Sequence, residues 1–361
     1  MIIGCLGAGQ LGRMMAMAAL PLNMDMCFYD QSEDAPASQL AYQQSGSFTD
    51  RASLSDWAQG LDVITFDWEN VPLSTLNVVK EFAPIYPKPS ALKVSQDRLF
   101  EKTLFTQLNI PTPQFAAIDS YGDLLKAIAH FGMPGVLKTR RLGYDGKGQA
   151  RIQKNADIEK AWQTLKGVPL IYESWVNFDC EVSLIAVRSK RGECAFYPLS
   201  RNEHANGILA ISRAPFNHAL MERKARLYLN RLLDHLNYVG VLTVEFFIQG
   251  NKLIANEMAP RVHNSGHWTI EGAVTSQFEN HIRAICGMPL GSTEPRGHSA
   301  MINLIGAMPK QRSKILGIAG AHWHDYAKEE ARAGRKMGHI TLNTQTSKAR
   351  EQKLKQLLKL L

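Results

Sequence analysis

The sequence predicts an α/β (α+β) protein, because strand and helix patterns alternate from its first residue onward. Residues 1–7 form an apolar strand pattern that runs into a glycine turn, and residues 13–20 follow with a helical pattern. Later strand patterns at residues 25–29 and 62–66 give the order expected of a parallel, doubly wound sheet. A chain of 361 residues with 45% apolar content is long enough for two or three domains with well-formed cores.

Proline and glycine clusters divide the chain. Three prolines between residues 84 and 89 interrupt any helix, and a second break follows at residues 110–113. We therefore predict domains over residues 1–95, 96–285 and 286–361. The middle domain is expected to contain helices at residues 96–109, 219–236 and 270–286, strands at 170–176, 181–187 and 193–197, and a hairpin at 240–256.

Composition excludes several classes of protein. No stretch approaches the roughly 18 apolar residues that a membrane span needs, and the N-terminus has no signal-peptide pattern, so we expect a soluble, cytoplasmic protein without a membrane partner. The five cysteines are widely spaced and form no CxxC pair. They are predicted to be buried free thiols rather than zinc ligands or redox centres.

The basic net charge of +8 is concentrated at the C-terminus. Residues 348–361 carry five basic side chains and one acidic, and Leu354, Leu357, Leu358 and Leu361 recur at helical spacing. This pattern predicts a terminal helix that docks through an apolar face and leaves its basic side in solvent, rather than a nucleic-acid-binding surface.

The glycine turn Gly7-Ala8-Gly9-Gln10-Leu11-Gly12 has the spacing of the dinucleotide fingerprint, with Asp30 about twenty residues further on. The same turn would bind any phosphate at a helix N-terminus. A nicotinamide-dependent oxidoreductase is therefore an alternative.

A second glycine-rich segment predicts a phosphate-covering loop. Lys138 ends an apolar run, and Gly143, Gly146 and Gly148 follow within eleven residues, where backbone N–H groups can approach an anion. The lysine precedes the glycines, so the segment is neither a Walker A motif nor a kinase loop. An ordinary basic hairpin loop is the alternative.

Two glutamates on the predicted hairpin indicate a magnesium site. Glu245 and Glu257 could project to one face from neighbouring strands, and Asn256 adds an amide oxygen. Such hard oxygen ligands suit Mg²⁺ bridged to nucleotide phosphates. The alternative is a pair of glutamates with no ligand.

The polar run from Arg261 to Thr269 is dense in hydrogen-bond donors and suits an anion or a polar ring. Ser265 lacks the setting of a nucleophile, so ligand contact is the favoured interpretation. The strand end at residues 173–176 could bind an adenine edge, and Glu181 could accept from a ribose. Ordinary half-buried strand residues are the alternative for both.

These residues together resemble the ATP-grasp superfamily and, within it, the family of 5-(carboxyamino)imidazole ribonucleotide synthetases. The motifs that carry the resemblance occur in the family order over nearly the whole chain. They are Gly7 to Gly12, Gln96 to Lys102, Lys138 to Gln149, Glu173 to Val176, Asn256-Glu257, His263 to Thr269 and Gly334 to His339. The resemblance implies a Rossmann-like pre-ATP-grasp domain, an ATP-grasp domain with a mobile lid around residues 112–172, a small C-terminal domain and a homodimer.

The resemblance also implies which residues bind ATP and magnesium. Glu245 and Glu257 would hold Mg²⁺. The residues that would contact ATP are Arg98, Lys138, Gly143, Tyr144, Asp145, Gly146, Lys147, Gly148, Gln149, Glu173, Ser174, Trp175, Val176, Glu181, His204, Asn256 and Glu257.

By the same resemblance, a second set would surround aminoimidazole ribonucleotide, with Arg261, His263 and Lys138 as catalytic candidates. This set comprises Gln10, Glu69, Tyr144, Lys147, Arg261, His263, Asn264, Ser265, Lys328, Arg335 and Lys336. Asp67 and Val262 depart from the usual family residues, and the segment around Arg332 is one residue longer. Which of Arg332, Arg335 and Lys336 meets the substrate phosphate is therefore open.

The activity expected from the resemblance is ATP- and bicarbonate-dependent carboxylation of the ribonucleotide's exocyclic amine, through carboxyphosphate, in purine biosynthesis. Related ATP-grasp ligases, such as a formate-dependent glycinamide ribonucleotide transformylase or a biotin carboxylase, are alternatives. A non-catalytic nucleotide-binding protein of the same fold is another.

Overall fold

The computed structural model describes residues 1–143 and 146–361. The predicted loop residues Tyr144 and Asp145 lie outside the described part of the chain. The predicted α/β architecture is confirmed, with three sheets and the helices that cover them.

The N-terminal unit is the predicted parallel sheet. Its strands have the order β3-β2-β1-β4, and both neighbours of β1 run parallel to it. The elements are β1 (Ile2–Leu6), α1 (Gln10–Ala19), β2 (Asp25–Asp30), β3 (Tyr42–Ser45), α2 (Arg51–Ala58), β4 (Val63–Phe66), α3 (Leu73–Val79) and α4 (Pro89–Ser95). Helix α1 begins at Gln10 rather than at Arg13, because Gly9 already stands in the N-cap position.

The next unit is a four-stranded antiparallel sheet of order β5-β8-β6-β7 with its own apolar core. Helix α5 (Arg98–Gln107) precedes it. The elements are β5 (Phe115–Ile118), α6 (Tyr121–Phe131), β6 (Gly135–Thr139), β7 (Gln149–Ile152), α7 (Asn155–Leu165) and β8 (Leu170–Ser174). This unit covers the segment predicted to be a lid, and its movement remains a prediction.

The largest sheet has nine strands, in the order β14-β13-β9-β11-β12-β15-β17-β16, with β10 paired to the free part of β9. The elements are β9 (Cys180–Arg188), β10 (Cys194–Phe196), β11 (Ser200–Ala205), β12 (Ile208–Ala214), α8 (Ala219–His235), β13 (Gly240–Gln249), β14 (Lys252–Ala259), α9 (Thr269–Gly272), α10 (Gln277–Ile285), β15 (His298–Ile305), α11 (Arg312–Leu316), β16 (Ala321–Asp325), β17 (Lys336–Thr344) and α12 (Ser347–Leu358). Because β12 pairs with β15, the C-terminal segment extends the sheet of the middle segment.

Two predicted elements are wrong in their extent. The helix predicted over residues 270–286 is broken into α9 and α10, because Ala273 is extended and Ser276 caps a new helix by accepting from the N–H of Glu279. The strand predicted to reach Val176 ends at Ser174, and the N–H of Trp175 donates to the carbonyl of Pro134 instead.

The structure also bears on the cysteines and on membrane-spanning helices, for which composition gave expectations. All five cysteines are free, although only Cys5 is fully buried. Among residues 1–143 and 146–361, no helix is long and apolar enough to cross a membrane.

The terminal helix α12 docks through part of its predicted apolar face. Leu354 and Leu357 are 1% and 0% exposed and pack in the core beside β15 and β17, whereas Leu358 and Leu361 are 42% and 48% exposed. Two of the four leucines therefore attach the helix, and the other two remain in contact with solvent.

We expect Leu354→Ala to lower the free energy of unfolding by about 2–5 kcal/mol, because it opens a cavity under α12. Leu358→Ala is the matched control in the same helix and should change it by less than about 0.5 kcal/mol. Urea denaturation measures both. An equal loss of unfolding free energy in the two variants would contradict the docking of α12 through Leu354.

Candidate active site

A cavity of about 720 Å³ lies where the glycine turn, the start of α5, the end of β14 and the segment before β17 meet. Many of the predicted site residues contribute to its wall. Those are Gln10, Glu69, Arg98, Gly143, Lys147, Glu257, Arg261, His263, Asn264, Lys328, Arg335 and Lys336. The structure thus brings together residues that are up to 326 positions apart in the chain.

The other predicted residues lie outside the wall of this cavity. They are Lys138, Gly146, Gly148, Gln149, Glu173, Ser174, Trp175, Val176, Glu181, His204, Glu245, Asn256 and Ser265. Six of these thirteen residues belong to β6, β7, β8 and the hairpin of β13 and β14. Gly148 is required there by the fold, because its φ is +67° and a Cβ atom would lie 2.6 Å from Thr139 Oγ1.

The two hairpin glutamates face each other. Glu245 on β13 pairs with Glu257 on β14, and the register shifts directly after Glu245. Burial and the charge of Glu257 raise the pKa of Glu245 to about 7, whereas Arg98 holds the pKa of Glu257 below its usual value despite burial. The charge of one carboxylate therefore disfavours ionisation of the other.

Glu173 is held between two lysines at the end of β8. Its Oε2 atom lies 2.9 Å from Lys138 Nζ and 3.2 Å from Lys102 Nζ, and the side chains of Glu173 and Lys102 are almost fully buried. Burial would raise the pKa of Glu173, but the two ammonium groups outweigh it and lower the pKa to about 2. Lys102 also donates to the carbonyl of Asn256, which ties β8 to the hairpin.

Arg98 links the hairpin to the glycine-rich loop. Its Nη1 atom donates to Glu257 Oε2 at 3.1 Å, and its Nη2 atom donates to the carbonyl of Gly143 at 2.9 Å. Next to it, Arg140 makes a bidentate ion pair with Asp97, with distances of 3.1 and 2.9 Å. The loop is therefore anchored to the start of α5 by two guanidinium groups.

His204 on β11 lies near the two hairpin glutamates. Its Nδ1 atom is 2.8 Å from Glu181 Oε2. Burial would lower the pKa of His204, but the hydrogen bond to Glu181 and the charge of Glu245 raise it. The predicted ribose-binding carboxylate thus has a histidine neighbour whose protonated form is favoured.

The glycine turn is filled by the chain's own carboxylates. Asp67 Oδ2 accepts from the N–H of Gly12 at 3.1 Å, and Asp30 Oδ2 accepts from the N–H of Ala8 at 2.8 Å. Gly7 has a φ of +94°, and a Cβ atom there would lie 1.9 Å from Asp67 Oδ1. A dinucleotide phosphate at this turn would have to displace Asp67, which disfavours an oxidoreductase.

Arg261 and His263 line the same cavity as Asp67. Arg261 Nη2 is 2.6 Å from Glu69 Oε2, and His263 Nε2 is 3.6 Å from Glu245 Oε1. Burial, followed by the charges of Arg261 and Lys336, keeps the pKa of His263 well below its usual value. The cavity therefore presents one guanidinium and one neutral imidazole next to the carboxylate pair.

Ser265, which is predicted to contact the substrate, lies outside the cavity wall. It is fully buried, and its hydroxyl group lies 2.9 Å from His263 Nδ1 and 2.7 Å from Ser183 Oγ. The side chain thus stands behind His263 rather than in the cavity wall. Asn264, in contrast, lines the cavity and exchanges amide hydrogen bonds with Asn303.

Four basic residues also line the cavity: Lys328, Arg332, Arg335 and Lys336. Burial and the neighbouring Arg335 and Lys336 lower the pKa of Lys328 to about 8. All four residues reach the cavity, so the structure leaves the choice among Arg332, Arg335 and Lys336 open. A dianionic phosphate suits such a cluster.

Comparison with known families explains this arrangement. Three family models match the chain: the ribonucleotide synthetase preATP-grasp domain over residues 1–96, the ATP-grasp domain over residues 103–278, and the phosphoribosylaminoimidazole carboxylase C-terminal domain over residues 299–353. An N5-carboxyaminoimidazole ribonucleotide synthase of Pseudomonas aeruginosa is 49% identical over 342 residues, which are 95% of this chain and 94% of that protein. The chain belongs to the N5-carboxyaminoimidazole ribonucleotide synthase family.

Solved structures of this synthase family have the same fold over their whole length. The N5-carboxyaminoimidazole ribonucleotide synthetase of Thermus thermophilus is 49% identical, with a TM-score of 0.95, and covers 99% of this chain and 98% of its own. The enzyme of Aspergillus clavatus in complex with ADP and 5-aminoimidazole ribonucleotide is 32% identical, with a TM-score of 0.93 and coverages of 99% and 98%. The predicted ATP-grasp fold, with its N-terminal and C-terminal domains, is confirmed.

Sequence reasoning missed several residues of this synthase site. Glu101 lines the cavity, accepts from the N–H of Met258 at 2.7 Å, and has a pKa raised to about 8 by burial. Lys102 pairs with Glu173. Both follow Arg98 at the i+3 and i+4 positions of α5, so helical spacing could have placed all three on one face.

We predict that Asp67→Asn stabilises the protein at pH 8 by up to about 3 kcal/mol. Burial raises the pKa of Asp67 to about 6, so the folded state retains a proton that the unfolded state has already lost. Stability should therefore fall as pH rises from about 4 to about 6, and the asparagine removes this loss.

Thermal or urea denaturation at pH 4 and pH 8 measures the effect. The difference between Asp67→Asn and the parent should shrink towards zero at pH 4. Asp56→Asn, an exposed carboxylate in α2, is the control and should show little difference at either pH. A gain of equal size at both pH values would exclude Asp67 as the titrating group.

Proposed function

We propose that the protein is an ADP-forming ligase that carboxylates the exocyclic amine of 5-aminoimidazole ribonucleotide with ATP and bicarbonate, in purine biosynthesis. The observation that carries the proposal is the cavity itself. Its wall contains a cationic cluster suited to a phosphomonoester together with Glu257, Arg98 and Gly143 of the glycine-rich loop. Arg261 and His263 belong to the same wall, and the amine and an activated carboxylate would meet beside them.

ATP is proposed to lie between the small sheet and the hairpin. Lys138 and Arg98 would meet its phosphates, and the backbone of the glycine-rich loop would cover them. Glu173 Oε1 is buried and has no hydrogen-bond partner among residues 1–143 and 146–361, so it is available to accept from an adenine amine. Glu181, beside His204, would accept from the ribose.

Glu245 and Glu257 fit a magnesium ion. The facing carboxylates raise the cost of ionising both, and a dication between them removes that cost. Among the described residues, no group of three or more His, Cys, Asp or Glu side chains could hold a metal ion, which suits a metal that takes its remaining ligands from nucleotide phosphates. When bound, Mg²⁺ would neutralise charge on the transferring phosphoryl group.

The proposed reaction begins with a bicarbonate oxygen forming a bond to the γ-phosphorus of ATP, while the bond to the β-phosphate oxygen breaks and ADP leaves. The resulting carboxyphosphate releases phosphate and carbon dioxide within the closed site. The exocyclic amine then forms the new C–N bond, and the carbamate nitrogen loses one proton. Arg261 and His263 would hold the anionic oxygens during these steps.

Exclusion of water is the proposed task of the segment around residues 112–172. Carboxyphosphate is labile, so a covered site protects it and strengthens the electrostatic contacts inside. Arg98 and Arg140 connect the glycine-rich loop to α5, so closure of the loop would assemble the phosphate contacts at the same time.

The alternatives are less well supported. A glycinamide ribonucleotide transformylase or a biotin carboxylase would share the nucleotide site, but the Pseudomonas aeruginosa relative described above is named an N5-carboxyaminoimidazole ribonucleotide synthase. Asp67 already accepts from the N–H of Gly12 in the glycine turn, which disfavours a dinucleotide oxidoreductase. We further propose that the protein is a cytoplasmic homodimer.

ADP release with Mg²⁺, ATP and bicarbonate tests the function. We expect strong stimulation by aminoimidazole ribonucleotide, together with transfer of label from ¹³C-bicarbonate into an acid-labile carbamate. Stimulation by formate with glycinamide ribonucleotide, or by biotin, would instead favour a related ligase. ATP binding without turnover would indicate a non-catalytic protein.

Glu257→Gln tests the metal site. We expect it to raise the Mg²⁺ concentration for half-maximal ADP formation at least about tenfold, because it removes one charged ligand. Glu81→Gln, at an exposed carboxylate, is the control and should leave this concentration unchanged. An unchanged Mg²⁺ requirement in Glu257→Gln would exclude the proposed metal role.

A further inference from the structure

A chain of buried polar side chains runs from His263 into the large sheet. His263 Nδ1 lies 2.9 Å from Ser265 Oγ, which lies 2.7 Å from Ser183 Oγ on β9. Asn202 on β11 is 3.1 Å from Ser183 and 2.8 Å from Ser212 on the neighbouring strand β12. The four residues behind the histidine are at most 4% exposed, so the chain is shielded from water along its length.

The hydrogen bonds in this chain have a direction. The amide N–H of Asn202 donates to Ser183 Oγ, so the single hydroxyl hydrogen of Ser183 is directed to Ser265. The hydroxyl hydrogen of Ser265 then remains for His263 Nδ1. At the other end, Ser212 donates to the amide oxygen of Asn202.

A second, independent contact requires the same direction. The backbone N–H of Ser265 points at His263 Nδ1 over 3.3 Å, where His263 caps the short turn at residues 264–266. A backbone N–H can only donate. Nδ1 therefore acts as an acceptor for both groups, and the ring hydrogen of the neutral imidazole lies on Nε2.

The backbone of His263 is fixed as well. The side chain of Gln277, which is fully buried at the start of α10, accepts from the N–H of His263 at 2.9 Å and donates to its carbonyl at 2.7 Å. The imidazole thus has a fixed backbone and a fixed Nδ1 side. Its Nε2 side faces Glu245 and the cavity.

We propose that Ser265, Ser183 and Asn202 are positioning residues that hold His263 as the Nε2–H tautomer, so that the histidine donates a hydrogen bond to bicarbonate or carboxyphosphate. The inference rests on the proposed function for the identity of the anion. It also excludes one role for His263. With hydrogen already on Nε2 and two donors on Nδ1, the ring cannot act as the base that takes the proton from the amine.

Nuclear magnetic resonance of protein labelled with ¹⁵N-histidine tests the tautomer directly. We expect a pyrrole-type shift for Nε2 of His263 and a pyridine-type shift for Nδ1, assigned by their loss in His263→Gln. Ser183→Ala should add a detectable fraction of the other tautomer, because Ser265 is then free to accept from Nδ1–H. A pyridine-type Nε2 in the parent protein would overturn the proposal.

Kinetics test the donor role. His263→Gln retains an N–H near the Nε2 position, whereas His263→Leu does not, so we expect kcat to be at least about tenfold higher in the glutamine variant. If His263 were a base, both variants would lose it to the same extent. Equal kcat values in His263→Gln and His263→Leu would therefore overturn the donor role. Carbamate formation by the parent protein is measured first, so failure of the proposed function is seen separately from failure of the tautomer assignment.

Ser299→Ala provides the matched control for Ser183→Ala. Ser299 is a buried serine of the same sheet on β15, outside the chain that leads to His263. Ser183→Ala should lower kcat about five- to tenfold with little change in the KM for ATP, and Ser299→Ala should leave both unchanged along with the His263 shifts. An equal loss of kcat in the two variants would mean that Ser183 has only a structural role, and it would overturn the positioning role.

Discussion

The pairing of β12 with β15 is the constraint on which the site depends. It joins the hairpin, at one end of the large sheet, to β17 and the cationic cluster before it in one continuous hydrogen-bonded ladder. A sheet transmits position rigidly, since each strand is fixed to its neighbours every few ångströms. The sheet therefore fixes the position of Lys336, the first residue of β17, relative to the carboxylate pair, whereas Lys328, Arg332 and Arg335 lie in the loop before it. The N-terminal domain then closes the cavity by adding Gln10, Asp67 and Glu69.

Charge is arranged in the site so that buried ions have partners before a ligand arrives. Glu173 lies between Lys102 and Lys138, Arg98 meets Glu257, and Arg261 meets Glu69. An isolated buried charge would cost several kcal/mol, so these pairs make a polar cavity compatible with a stable fold. A charged ligand can therefore replace one partner of an existing ion pair instead of binding to an unpaired buried charge. Glu245 is the exception, because burial and the charge of Glu257 raise its pKa to about 7.

Two glycine-rich regions have sequence patterns that suggest phosphate binding, but the structure surrounds them with different side chains. The N-terminal glycine turn matches the dinucleotide fingerprint, yet Asp67 and Asp30 occupy its N–H groups. The later glycine-rich loop matches no standard phosphate motif, yet it is anchored beside Lys138 and the hairpin through Arg98. Spacing of glycines indicates only that a backbone can approach an anion closely. Which anion approaches is decided by the side chains that the fold brings to that point.

The sequence by itself determined the element types, the parallel N-terminal sheet, the hairpin that carries Glu245 and Glu257, and the family, because these depend on local periodicity, turn residues and motif order. It misjudged the helix after His267, since the interruption at Ala273 depends on contacts outside the segment. The tertiary structure alone decided that Asp67 fills a turn 55 residues away and that Lys102 neutralises Glu173. It also placed Ser265 behind His263, at the head of a polar chain across three strands. Hydrogen bonds between residues far apart in sequence have no periodic signature, so only the folded chain shows them.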